Sequence, residues 1–518
     1  MLNNRFKIGR GFAAIGAAAI LFASGVGSAS AAPDNIDPDA LGSISLHKFS
    51  GAPVVGLPND GTETAVAGRT PLAGVGFTLY RVNGLDVTDP ADWNEINDLN
   101  DWFVTQGTSG HWSAGATVGS GAGYTFSTVG TEQVTAAGTG LATWGTPATT
   151  SSLPLGVYFV QETSAPAAVS EHTLPFLVTI PLAHNATSSW LYDVHAYPKN
   201  ALVDLSKAAV DAGTVGVGSN IAWNVTNTVP TIQNAFEDYR LRDVLDSRLS
   251  YVADSSTVTL DGVALLATDF SVVPTGQTLE LTFTPDGRVK LDAAQGDDIV
   301  WSFSTSVNSI GDGTIENVAD VMVNKPSGVW GTDSIPSNEV TSNWGSVRIN
   351  KHEAANSANL LSGASFQIFG TEADAIACNN AVIAADGVLN SVCANAISVT
   401  RDAAGATIPA QSVFTTDTDG AVTIPGLHVG INGDTTQSYW VVETVPPAGY
   451  VNAETVRPVT VAASTLATGV LLEVPNAQTP PTELPRTGGA SNAMLLIGAI
   501  ALAAGSTAML IVNKKKKK

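Results

Sequence analysis

Three lysines of this 518-residue chain sit on the apolar side of a period-two pattern. In Ile44-x-Leu46-x-Lys48, Val203-x-Leu205-x-Lys207 and Val347-x-Ile349-x-Lys351 the lysine shares its parity with aliphatic residues. A strand sends alternate side chains to opposite faces, so each amine is expected to enter a core. An ammonium buried without a partner costs on the order of several kcal/mol, so it finds an anion or loses its proton. Acids occur at matching parity in Tyr158-x-Val160-x-Glu162, Tyr239-x-Leu241-x-Asp243 and Tyr439-x-Val441-x-Glu443. Asparagines lie near the closing strand of each expected domain: Asn200, Asn338 and Asn476. Asn476 follows Leu472 and Val474 at the same parity, while Asn338 lies in the weaker pattern Ser337-Asn338-Glu339-Val340.

A lysine, an asparagine and a carboxyl group in one apolar pocket form an amide. Desolvation keeps the amine neutral and nucleophilic and the acid protonated. The acid polarises the asparagine carbonyl and moves protons as the amine attacks and ammonia leaves. The expected product is an intramolecular isopeptide bond between Lys351 and Asn476 with Glu443, between Lys207 and Asn338 with Asp243, and between Lys48 and Asn200 with Glu162. Each is a single event, which makes the chain no enzyme.

A second chemistry is written at the C-terminus. Leu484-Pro485-Arg486-Thr487-Gly488 precedes an uncharged run from Met494 to Val512 and five lysines, Lys514 to Lys518. The run is long enough to span a bilayer, and the lysines hold its end in the cytoplasm. The order of pentapeptide, span and basic end resembles a cell-wall sorting signal, cut by sortases between Thr487 and Gly488. At the other end Arg5, Lys7 and Arg10 precede an apolar stretch from Gly11 to Val26, and Ala29-Ser30-Ala31 offers a cleavage site. That is the pattern of a secretory signal peptide.

The elements that must position these groups read as strands. Short Val/Thr/Ile/Phe runs alternate with Gly, Ser, Thr and Pro clusters. About 456 residues remain between the two processing sites, enough for roughly three domains. The expected fold is all-β, three tandem β-sandwiches. The divisions fall at 1–31 (signal peptide), 32–200, 201–341, 342–478, and 479–518 (sorting tail). Gly107 to Gly140 reads as a long loop, and only Ala373 to Ala394 as helical. That stretch holds the two cysteines, Cys378 and Cys393, expected to form a disulfide in an exported chain. Two cysteines without a neighbouring histidine, and seven scattered histidines, point to no metal centre.

The 24 basic and 46 acidic residues give a net charge of −22. The leader holds three of the basic residues and the tail five, with no acids in either, so the mature part stands at −30. So acidic a surface excludes nucleic-acid binding or adsorption to anionic lipid as a main function.

The segments around the acids resemble a known family. Tyr158-Phe-Val-Gln-Glu162-Thr163-Ser-Ala165-Pro166 and Tyr439-Trp-Val-Val-Glu443-Thr444-Val-Pro-Pro447-Ala-Gly449-Tyr450 are similar to the E-box of Gram-positive sortase-assembled pilins. The second is the fuller match. Trp190-Leu-Tyr-Asp-Val194-His-Ala-Tyr197-Pro198-Lys199-Asn200 resembles the pilin motif. Arg242-Asp243-Val-Leu245-Asp-Ser-Arg-Leu249-Ser-Tyr251 is similar to the aspartate strand of the family's middle domain. The resemblance points to Spa-type backbone pilins built from Cna-B-like and related immunoglobulin-like domains.

It implies that Lys199 is the amine that accepts Thr487 of another subunit. The implied partners are a pilin-class sortase, a housekeeping sortase, other copies of the chain, minor pilins and peptidoglycan. The membrane is met only transiently through the tail, and no cofactor is implied. Along the motif Trp190, Val194 and Asn200 share one parity and Asp193, His195 and Lys199 the other, so Asn200 is expected inward and Lys199 outward. The rival readings are a monomeric wall-anchored adhesin, in which Lys199 has no special role, and a wall-anchored hydrolase. No His-Glu-x-x-His or Gly-x-Ser-x-Gly string supports the latter.

Overall fold

A computed structural model describes residues 36–480 except 52–59, 98, 100–123, 146–151, 185–186, 211–212, 214, 233, 385–388, 403 and 453–454. The expected signal peptide, the pentapeptide Leu484–Gly488 and the span Met494 to Val512 lie outside the described residues. Among those described, no helix is long and apolar enough to cross a membrane.

The all-β expectation is borne out: strands paired in sheets make up the described chain, with few helices. In the N-terminal part the strand Leu41–His47 lies between Asp193–Ala196, parallel to it, and Leu141–Trp144, antiparallel. The facing sheet runs Thr125–Val134, Gly76–Asn83, Gly156–Ser164, Phe176–Ile180. Ile44, Leu46, Phe77, Leu79, Tyr158, Val160 and Val194 fill the space between the two. The chain continues from Lys48 into Phe49–Ser50, which pairs in parallel with Lys199–Leu202. The first and last segments of this domain are therefore direct neighbours.

The middle part shows the cleanest alternation. In Asn220–Thr228 and Asp298–Val307 every second residue is buried, and Trp223 lies opposite Phe303 and Val225 opposite Trp301. These rings wall one side of the Lys207 site. The second sheet includes Phe270–Thr275, Thr278–Phe283, Tyr239–Val244 and Ala319–Val323.

No linker separates the middle and C-terminal parts. One strand, Val340–Glu353, pairs with Thr314–Asn317 at its start and in parallel with Val470–Asn476 at its end. The expected division at 341/342 falls within this strand, and a single apolar cluster extends through both sandwiches. At the junction Val217 N donates to Gly426 O at 2.6 Å. Gly426 has φ +54°, and a Cβ there would meet the Val217 Cβ at 2.5 Å. Only glycine allows both the left-handed backbone and the close approach.

Two local expectations need correction. Within Gly107 to Gly140, residues Thr125–Val134 form a strand, because Thr, Phe and Val there pair with Gly76–Asn83. Helices occur at Glu372–Ala384 and Leu389–Val392, but also at Pro285–Asp292 and residues 92–97. Pro285 suits a first helical turn, and the hydroxyl of Thr284 caps it by accepting from Gly287 N at 3.1 Å. Cys378 and Cys393 are bonded to each other, in a small core with Phe369 and Val442.

Candidate functional site: three buried lysine pockets

Lys48, Lys207 and Lys351 are 0 %, 4 % and 0 % exposed. Each ends up inside because its strand keeps the period-two alternation through the lysine. Burial pulls all three amines down to about 8 from an ordinary value near 10.5. Each has one of the expected carboxylates beside it.

The N-terminal pocket has the fullest set of direct contacts. Lys48 Nζ donates to Glu162 Oε2 at 2.9 Å and to Asn200 Oδ1 at 2.6 Å. Asn200 Nδ2 closes the triangle by donating to Glu162 Oε1 at 2.7 Å. Two residues that sequence reasoning missed complete it. His172 Nδ1 lies 2.8 Å from Glu162 Oε1, and Thr173 N donates to Glu162 Oε2 at 3.1 Å. The Thr173 hydroxyl contacts the Lys48 amine, lies 3.0 Å from Asn200 Oδ1 and donates to the Lys199 main-chain oxygen at 2.9 Å. Burial alone would raise Glu162, but the His172 and Lys48 hydrogen bonds outweigh it and hold the carboxyl below its usual value. Neither residue carries a parity signal, since both lie in the loop before Phe176–Ile180.

In the middle pocket the Lys207 amine contacts Asp243 Oδ2, and both side chains are fully buried. The amine faces the rings of Trp223 and Phe303, 5.0 and 5.7 Å from their centroids. Burial pushes Asp243 up while it pulls Lys207 down, so both shifts favour a neutral amine beside a protonated acid.

The structure does not bring Asn338 to this amine. Its exposed side chain clamps the Lys207 backbone instead, accepting from N and donating to O, each at 2.9 Å. The amide inside the pocket belongs to Asn317, which is 2 % exposed. It lies close enough to Asp243 to favour the carboxylate, yet neither its amide nitrogen nor its oxygen makes a hydrogen bond of ordinary length. Asn338 was reached by its nearness to the domain's end. Asn317 follows Ile315 at the same parity and closes its strand, a signal the sequence did contain.

In the C-terminal pocket Lys351 Nζ lies 3.5 Å from Glu443 Oε1 and donates to Val474 O at 2.9 Å. Asn476 Nδ2 donates to Glu443 Oε1 and Oε2 at 2.9 and 3.0 Å, which leaves Asn476 Oδ1 with no hydrogen-bond partner. The parallel register sets Lys351 opposite Val474 and Glu353 opposite Asn476. The amide therefore sits one inward position beyond the amine.

Lys199 and Asn200 part as their parity predicts: Asn200 is 1 % exposed, whereas Lys199 is half-buried and donates to Tyr197 O at 3.2 Å. Burial, then the Arg69 charge, lowers the Lys199 amine. The other two lysines of the exported part are engaged elsewhere. Lys290 binds Asp269 at 2.6 Å, and Lys325 ties the first two domains by donating to Ala167 O at 2.8 Å and Asp333 O at 3.0 Å.

Tandem β-sandwiches, each with a lysine, a carboxyl group and an amide buried together, are the class that the fold and these pockets define. Comparison with known proteins agrees. Residues 42–201 match the Gram-positive pilin subunit D1 N-terminal domain, 345–471 the SpaA prealbumin-like fold domain and 477–518 the LPXTG cell wall anchor motif. The chain is 30 % identical to the fimbrial subunit type 2 of Actinomyces naeslundii over 523 residues, spanning 93 % of this chain and 92 % of that one. Against the fimbrial subunit type 1 of Actinomyces viscosus it is 27 % identical over 99 % and 98 % of the two chains. The full-length major pilin SpaD of Corynebacterium diphtheriae shares the fold with a TM-score of 0.58, at 24 % identity, over 86 % of this chain and 100 % of that one. The major pilin SpaA of the same organism does so at 0.53, with 24 % identity, over 84 % and 100 %. The chain belongs to the Gram-positive, LPXTG-anchored fimbrial subunit family. It is an extracellular structural subunit of a wall-attached pilus.

Proposed function

We propose that this chain is the shaft subunit of a covalent fibre, joined head to tail by an amide between Thr487 of one subunit and Lys199 of the next. A pilin-class sortase thiol attacks the Thr487 carbonyl, and the tail leaves from Gly488. The Lys199 amine then attacks the thioester, forms the amide and releases the thiol. A housekeeping sortase transfers the finished fibre to peptidoglycan, and minor pilins join the same polymer. The chain itself turns over no substrate.

Within each subunit the reading assigns three internal amides: Lys48–Asn200, Lys207–Asn317 and Lys351–Asn476. In each, the neutral amine attacks the asparagine Cγ, and the neighbouring carboxyl group relays the proton that the attacking nitrogen must lose. That proton passes through the carboxyl group to the leaving amide nitrogen, the C–N bond breaks as the tetrahedral centre collapses, and one ammonia departs.

The observation that carries this reading is the parallel pairing of first and last strands. Phe49–Ser50 lies beside Lys199–Leu202, and Val340–Glu353 beside Val470–Asn476. Tension along the fibre would load these pairs directly, and a covalent bridge at Lys48–Asn200 and Lys351–Asn476 transfers the load without shearing the sheet. The test is a denaturing gel of the cell-wall fraction. A ladder of very large species that collapses to monomer in Lys199→Ala supports the shaft subunit. A single band in both chains, with sortase present, returns the reading to a monomeric adhesin.

A further inference from the structure

The geometry points to a divalent metal site on the outer face of the N-terminal domain, formed by His47, His195 and Glu63. The two histidines are 148 residues apart in sequence. Their strands run parallel with Ser45 opposite His195, so His47, two residues on, projects from the same face. Lys48 turns the other way, into the core. His47 Nε2 lies 2.9 Å from His195 Nδ1, and with a Glu63 carboxylate oxygen all the candidate donor atoms fall within 4.8 Å of one another. Ligands at 2.0–2.2 Å around a tetrahedral zinc sit roughly 3 Å apart. The imidazoles are already at that spacing, and the exposed Glu63 closes the set by rotating its side chain.

The surroundings are those of a ligand set. His195 Nε2 faces Asp193 Oδ2 at 3.4 Å, and the other Asp193 oxygen is held by the Ser43 hydroxyl. A proton on Nε2, directed at that carboxylate, leaves Nδ1 bare for a cation. Without metal, His47 donates to that nitrogen from Nε2. On binding, the His47 proton moves to Nδ1, and no net proton is released. The Tyr197 ring stacks on His47 with centroids 4.9 Å apart and planes 17° from parallel, which fixes the imidazole plane.

The loop that carries Glu63 is seated rather than free. Gly61 O accepts from His195 N at 2.9 Å, Thr62 O accepts from the Tyr197 hydroxyl at 3.3 Å, and Asp60 lies 3.3 Å from His184. Gly61 has φ +84°, and a Cβ there would come within 2.3 Å of Leu182 Cδ2.

Two imidazoles and one carboxylate with an open fourth position suit zinc or a chemically similar divalent ion. Bound there, the ion ties the first strand and the 60–64 loop to the strand that leads into Lys199. It would hold from outside the same pair of segments that Lys48 and Asn200 join from within. This inference does not depend on either covalent chemistry.

The test uses the full chain without added histidines, stripped of metal, with zinc titrated by calorimetry and cobalt followed by visible absorbance. The expected result is one equivalent per chain and a low-coordinate cobalt spectrum. Binding is lost in His47→Ala and His195→Ala at the concentration that saturates the native chain. Asp193→Asn weakens it about 10–100-fold, whereas His352→Ala leaves it unchanged. Glu63→Gln alters only an exposed side chain, and the weaker binding expected of it carries the test if the histidine variants misfold. Undiminished binding in both His195→Ala and Glu63→Gln, or no zinc bound below millimolar concentration, overturns the assignment.

Discussion

The hydroxyl of Thr173 donates to the main-chain oxygen of Lys199 at 2.9 Å. The same oxygen atom of Thr173 touches the Lys48 amine and lies 3.0 Å from the Asn200 carbonyl. One side chain thus joins the interior pocket to the residue that presents the exterior amine. During the proposed amine attack, negative charge develops on Asn200 Oδ1, and the hydroxyl can turn its single proton there from the Lys199 oxygen.

Thr173→Val keeps the shape and removes that donor. The Lys48–Asn200 amide is expected to form about 10²-fold more slowly, the loss typical of one oxyanion donor. The other two crosslinks form normally. Intact mass against time reads this directly, since each bond subtracts one ammonia. Unchanged kinetics would mean that Thr173 serves packing alone.

Asn317 and Asn338 separate the two readings of the middle domain. Asn317→Ala is expected to leave the chain heavier by one retained ammonia, after allowance for the substitution itself. Asn338→Ala should keep the crosslink and cost about 1 kcal/mol through its two part-buried hydrogen bonds to the Lys207 backbone. Peptide mapping decides between them: a Lys207–Asn338 linked peptide would reverse the assignment.

Glu443→Ala removes both the acid and the acceptor of the Asn476 amide. Lys351 then keeps only the Val474 carbonyl in a site where it is 0 % exposed. Breaking a buried pair in this way costs about 3–5 kcal/mol, so the C-terminal sandwich is expected to melt earlier and without its crosslink. Equal melting profiles for variant and native chain would show that the pair bears no load.

The depressed amines give a pH signature. In a chain left uncrosslinked by Asn317→Ala, Lys207 titrates near 8 when folded and near 10.5 when unfolded. Between those values the unfolded state holds the extra proton. Stability therefore rises with pH through this window, by at most about 1.4 kcal/mol per unit. The native chain, its amine locked in an amide, should lack that rise. Denaturant midpoints at a series of pH values compare the two, and parallel curves would count against the crosslink.

Strand periodicity determined which residues face inward. Lys48, Lys207, Lys351, Glu162, Asp243, Glu443, Asn200 and Asn476 are all buried, and each shares parity with aliphatic neighbours. The same rule divided Lys199 from Asn200, because alternation is a local property of an extended backbone and needs no knowledge of the fold. The all-β class and the C-terminal anchor motif were legible for the same reason, being written in contiguous residues.

What tertiary structure alone decided is which inward residues meet. Parity says that Asn317 and Lys207 both point to a core, but strand order makes Asn317 the pocket amide and sends Asn338 to the Lys207 backbone. Likewise His172 and Thr173 reach Glu162 from a loop, and His47 meets His195 only because the first and last strands of their domain lie side by side. Pairing over such separations is set by the burial of whole sheets against each other, an energy spread over dozens of residues. No short motif carries it.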